Sequence, residues 1–88
     1  MTRNVLIVDD EPNIVLSLKF LISQQGYEVR TAGSGEEALQ ALSQQVPDLI
    51  LLDVMMPKEG GIQMYRELKT DAELKDIPVI MVSAIAKK

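Results

Sequence analysis

Three runs of four apolar residues constrain this chain more than any other feature: Val5-Leu6-Ile7-Val8, Leu49-Ile50-Leu51-Leu52 and Val79-Ile80-Met81-Val82. Runs this short and uniformly apolar suit strands buried on both faces, as in a parallel sheet covered by helices. The stretches between them carry helical spacing instead. Pro12 stands where a first helical turn tolerates it, and Ile14, Val15, Leu18, Leu21 and Ile22 recur at helical intervals. Gly26 is placed to stop that helix. Tyr27 to Ala32 alternates apolar and charged residues, which predicts a strand with a more exposed face. Ser34 followed by Glu37 matches a capping box, with Ala38, Leu39, Ala41 and Leu42 as the stripe behind it and Pro47 as its end. A third helix is expected near Ile62 to Lys69, with Ile62, Tyr65 and Leu68 inward, then a polar linker from Thr70 to Asp76. The order is βαβαβαβ, an α/β pattern whose crossovers are right-handed and whose sheet is parallel.

A chain of 88 residues is one domain. Its only aromatics are Phe20, Tyr27 and Tyr65, so the core must be aliphatic. The net charge of −4 argues against direct nucleic-acid binding, which needs a basic face to neutralise phosphates. Without cysteine, disulfides and thiolate metal sites are excluded. Without histidine, the chain cannot itself present a phosphohistidine. Asp9 and Asp10 interrupt the short apolar start, so a secretory leader is not expected, and no apolar run approaches the roughly 20 residues of a membrane span. A cytoplasmic location is the default expectation.

The three apolar runs end in polar residues of a particular kind: Asp9-Asp10, Asp53 and Ser83. In doubly wound sheets, ligands bind beyond the carboxyl ends of the strands, where the strand order reverses. If the order is 2-1-3-4, Asp9, Asp10 and Asp53 converge at that point, beside Ser83. Clustered carboxylates repel, so they hold a proton or recruit a cation. Mg²⁺ or Mn²⁺ suits oxygen ligands and can share phosphate oxygens with a substrate. A carboxylate is also a phosphoryl nucleophile, and phosphoryl transfer depends mainly on positioning and charge neutralisation. A strand-end hydroxyl such as Ser83 could hydrogen-bond a phosphoryl oxygen.

These residues resemble the receiver domain of two-component response regulators, CheY-like in type. The resemblance rests on Val5 to Pro12, on Pro47 to Pro57, on Gly61 and on Pro78 to Ala84, and it covers essentially the whole chain, 1–88. It implies a flavodoxin-like fold with strand order 2-1-3-4. It implies that Asp53 is the phosphoacceptor, served by a partner histidine kinase or phosphotransfer protein. Asp10 would bind Mg²⁺ directly, Asp9 mainly through water and Met55 through its backbone carbonyl, with Asp53 also in the metal site. Ser83 would be the switch hydroxyl, with Pro57 and Gly61 shaping the loop after Asp53. Such a domain would be a signalling module that at most catalyses its own phosphorylation and dephosphorylation. The resemblance also implies a fifth strand with a phosphate-pairing lysine, and two last helices, that do not follow Ser83 here; Lys87 and Lys88 come too soon to supply that lysine. The expectation is a receiver domain truncated after its fourth strand, with Leu16 and Phe20 exposed. Its fourth-strand edge would be open to homodimer formation or element exchange.

Plainer readings exist for single residues. Asp9-Asp10 could be a solvated acidic pair at a helix start. Asp53 could simply end a strand, and Ser83 could be a turn residue. Met55-Met56 reads as packing and Glu36-Glu37 as capping. The charges from Glu67 to Lys69 and from Asp71 to Asp76 read as solvated surface. The glycines form neither a dinucleotide nor a nucleotide phosphate loop. What separates the phosphoacceptor reading from these is the joint placement of three polar ends on three buried strands. Alternative functions are a receiver-like interaction module that is never phosphorylated and, further off, an aspartate-nucleophile phosphatase.

Overall fold

Seven elements alternate along the chain: β1 (Asn4–Val8), α1 (Pro12–Ser23), β2 (Glu28–Ala32), α2 (Gly35–Gln44), β3 (Leu49–Asp53), α3 (Gly60–Thr70) and β4 (Val79–Val82). The computed structural model describes residues 3–53 and 60–82. The four strands form one parallel sheet in the order β2-β1-β3-β4. The first crossover runs from β1 to β2 on one side, and the next returns past β1 to β3 on the other. The order therefore reverses at β1, as the resemblance implies.

Alternation along the strands divides the core in two. Leu6, Val8, Ile50 and Leu52 face one side, where they pack with Ala38 and Leu42 of α2, Leu68 of α3 and Ile77. Val5, Ile7 and Leu51 face the other, against Val15, Leu18 and Ile22 of α1. Helices thus cover both faces, which is why β1 and β3 read as unbroken apolar runs. Burying a leucine or isoleucine of this kind contributes about 1.5–3 kcal/mol. Tyr65 packs against the first cluster and Leu68 is buried, as the helical spacing predicts; the side chain of Ile62 lies outside the described residues.

Local signals set most boundaries. Pro12 opens α1, and Glu11 caps it by accepting from the Asn13 N–H at 3.0 Å. Gly26 takes φ +91° in the turn that ends α1, a left-handed conformation that a β-carbon disfavours. Ser34 Oγ accepts from the Glu37 N–H at 3.2 Å. Glu37 reaches back to the Gly33 N–H at 3.0 Å, one residue before the cap and not the cap itself. The polar linker after α3 is less solvated than its composition predicts. Its turns seat Leu74 against the core and bury Ile77.

Two polar links tie the ends of the strands opposite the acid cluster. Asp48 Oδ2 accepts from the Asn4 N–H at 2.8 Å. The Arg30 guanidinium, on β2, donates to the carbonyls of Ala41 at 2.8 Å and Gln45 at 2.7 Å, the first of which also accepts the Gln45 N–H at 3.2 Å, and so braces the end of α2. Leu16 and Phe20 on α1 are 67 % and 61 % exposed, and Ile80 and Met81 on the outer strand β4 are about half exposed. The exposure of Leu16 and Phe20 agrees with expectation.

Candidate functional site

The carboxyl ends of β1 and β3 bring three acidic side chains together. Val8 pairs with Leu52 in the parallel register, so Asp9 and Asp53 leave neighbouring strands at the same level. Asp9 is 2 % exposed and Asp53 1 %, while Asp10 faces solvent. One carboxylate oxygen from each of Asp9, Asp10 and Asp53 lies within 4.8 Å of the other two. This is the convergence predicted from the polar strand ends.

The chain fixes Asp9 at two points. Its N–H donates to the Ala32 carbonyl at 3.0 Å, anchoring the end of β1 to the end of β2. Its Oδ1 accepts from the Glu11 N–H at 2.8 Å. The turn from β1 into α1 thereby sets both the carboxylate and the helix start. Glu11 was not singled out in the sequence for this; an acidic residue directly before a helix-opening proline is the signal that marks it. A cavity of about 190 Å³ opens beside the cluster, lined by Asp9, Asp10, Pro12, Val15, Thr31, Ala32 and Gly33.

Like charges this close repel by about 3–4 kcal/mol per pair at an effective dielectric near 20. A divalent cation relieves that cost, and three carboxylate oxygens form a hard donor set suited to Mg²⁺ or Mn²⁺. The residues present therefore fit the metal that the resemblance implies. Asp53 lies opposite Val82 of β4, the residue directly before Ser83. Ser83, Met55 and Pro57 lie outside the described residues. Gly61 falls in the first turn of α3, since that helix starts at Gly60, two residues before the predicted start.

A parallel sheet in the order 2-1-3-4 with helices on both faces defines a doubly wound, flavodoxin-like fold, and the acidic cluster sits at its switch point. The sequence model of the response regulator receiver domain matches residues 5–88, and the chain belongs to that family. It is 42 % identical over 84 residues to the alkaline phosphatase synthesis transcriptional regulatory protein PhoP of Bacillus subtilis, covering 96 % of this chain and 34 % of PhoP. It is 42 % identical over 88 residues to the polar-differentiation response regulator DivK of Brucella ovis, covering all of this chain and 72 % of DivK. The chain thus spans about a third of the length of PhoP and most of DivK. Among solved structures, the N-terminal domain of a response regulator receiver protein from Methanoculleus marisnigri superposes with a TM-score of 0.88 at 44 % identity, over 92 % of this chain and 66 % of that one. The response regulator TrrA of Thermotoga maritima, crystallised with Mg²⁺-BeF, gives 0.86 at 38 % identity, over 97 % and 72 %. Membership places the chain among the signalling domains of two-component phosphorelays. No helix among the described residues is long and apolar enough to cross a membrane.

Proposed function

We propose that Asp53 accepts a phosphoryl group from a phosphohistidine on a partner kinase or phosphotransfer protein, and that the acyl phosphate shifts a conformational equilibrium in the domain. The observation that carries this reading is the meeting of the Asp9, Asp10 and Asp53 carboxylates within 4.8 Å. A carboxylate oxygen of Asp53 attacks phosphorus in line. The new O–P bond forms as the P–N bond to the donor imidazole breaks, and the electron pair leaves with the imidazole nitrogen. Burial of Asp53 among the strand ends fixes the angle of attack and limits competing water.

Asp9, Asp10 and Asp53 would hold the divalent cation, together with the backbone carbonyl of Met55. When bound, that cation supplies charge neutralisation between the carboxylates and the phosphoryl oxygens. That TrrA was crystallised with Mg²⁺-BeF supports a divalent cation as the partner of these carboxylates. Ser83 follows the register partner of Asp53, which suits a hydroxyl that turns toward the phosphoryl group. On this reading the chain works in the cytoplasm, where the kinase's phosphohistidine is presented.

The test uses a small acyl-phosphate donor with Mg²⁺ and intact mass spectrometry. The wild-type chain gains one phosphoryl group, and Asp53→Asn gains none. Equal labelling of Asp53→Asn would overturn the acceptor assignment. Labelling of Asp53 in the wild-type chain should be lost on Mg²⁺ chelation.

A further inference from the structure

A second acidic surface lies away from Asp9, Asp10 and Asp53, along α2 and the turns between α3 and β4. Leu39 and Ser43 lie one turn apart on α2 beside the buried Leu42, and Val46, just past the extended Gln45 that ends the helix, lines the same cavity. Leu39 is 41 % exposed and Val46 49 %, although both adjoin the core. With Leu42 and Leu74 they form the apolar wall of a cavity of about 310 Å³, and Asp71 and Glu73 form its rim. A neighbouring hollow on the other side of Leu39 carries Glu36 and Glu37. No lysine or arginine lines either cavity among the described residues. Lys69, near in sequence, is engaged elsewhere: its Nζ donates to the Lys75 carbonyl at 3.0 Å and lies 5.4 Å from the centre of the Tyr65 ring.

An apolar groove with a rim of one charge sign sorts its partners. Covering Leu39 and Val46 is favourable in proportion to the apolar area removed from water. Four carboxylates with no base among them repel acidic segments and attract basic ones. Amphipathic helices laid in grooves of this kind are read through apolar residues at i, i+3, i+4 and i+7. We propose that this groove docks a basic amphipathic segment of a partner protein. An apolar side chain seats against Leu39, Leu42 and Val46, and Lys or Arg residues face Glu36, Asp71 and Glu73. The surface is separate from the acid cluster, so the inference stands or falls independently of phosphorylation.

The test is an amide NMR titration of the isotope-labelled chain with a synthetic helical peptide of leucine and lysine, its leucines at i, i+3, i+4 and i+7. Saturating shifts are expected at Leu39, Ser43, Val46 and Leu74. Affinity should fall at least about tenfold when glutamate replaces the peptide's lysines, and likewise when serine replaces its leucines. Leu39→Lys should weaken binding to a similar extent. Glu73→Lys, on an exposed turn, is a second variant that leaves the core untouched. Shifts centred elsewhere on the domain, equal binding of the glutamate peptide, or undiminished binding in both variants would each overturn the proposal.

Discussion

Asn4 and Asp48 lie 44 residues apart and bond to each other twice. The Asn4 N–H donates to Asp48 Oδ2 at 2.8 Å, and the Asp48 N–H donates to the Asn4 carbonyl at 2.8 Å. The pair pins the beginnings of β1 and β3 together at the end of the sheet opposite the acid cluster. Removing the carboxylate leaves the N–H of the buried Asn4 without its charged acceptor. Asp48→Ala is expected to cost about 1–2 kcal/mol, reduced from the buried limit because Asp48 faces solvent. Urea unfolding checks it: the midpoint falls while the slope stays constant. Asp48→Asn, which retains an oxygen acceptor, should cost less.

Arg30 braces the end of α2 against β2. Its two donors reach the carbonyls of Ala41 and Gln45 in a fork that lysine cannot reproduce. Arg30→Lys and Arg30→Met should both lose about 1–3 kcal/mol. Hydrogen exchange should quicken at the end of α2 more than at α1.

Mutual repulsion at the acid cluster makes the metal-free domain sensitive to charge removal there. Asp10→Asn should leave the metal-free chain at least as stable as wild type while weakening its response to Mg²⁺. For wild type, free cation at a hundred times its dissociation constant adds about 2.7 kcal/mol. For a domain of this size that is a rise of roughly 10–20 °C in melting temperature. Thermal scans with and without Mg²⁺, run on both proteins, give the comparison.

Leu6 and Phe20 should respond in opposite ways to truncation or charge. Leu6 is fully buried between β1 and α2, so Leu6→Ala should cost about 2–5 kcal/mol. Phe20 is 61 % exposed on α1, so Phe20→Lys should fall within about 0.5 kcal/mol of wild type. Calorimetry of the two variants distinguishes them. A large loss for Phe20→Lys would mean that something covers that side of α1 in solution.

Periodicity made the strands, the order of elements and the acidic residues legible, because each is a local pattern in the chain. Asp9 and Asp53 stood out because a carboxylate directly after four apolar residues breaks the run. Strand order came only from the resemblance, and the parallel sheet bears it out. The Asn4–Asp48 and Arg30–Ala41 links were not legible, since they join residues whose proximity exists only after the crossovers close. Leu74 falls within the stretch from Thr70 to Asp76 that reads as a polar linker, because its neighbours are charged, and Ile77 directly after it carries no signal of burial. The turn that lays them on the core is set by Asp71, whose Oδ1 accepts from the Glu73 N–H at 2.8 Å. The late start assigned to α3 reflects Gly60 and Gly61, poor helix formers that tertiary context carries into the first turn.

In the β1–β3 ladder, Val8 lies beside Leu52, and Asp53 takes the next rung. Side chains on a strand change sides at every residue, so a shift of one position in β3 would turn Asp53 toward α2 and α3. The same shift would push Ile50 and Leu52 into the layer now filled by Leu51. Loss of the acidic meeting point and disruption of both hydrophobic layers would therefore come as a single event. The length of an aliphatic run that takes no part in any reaction is as strict a requirement for this centre as the carboxylates themselves.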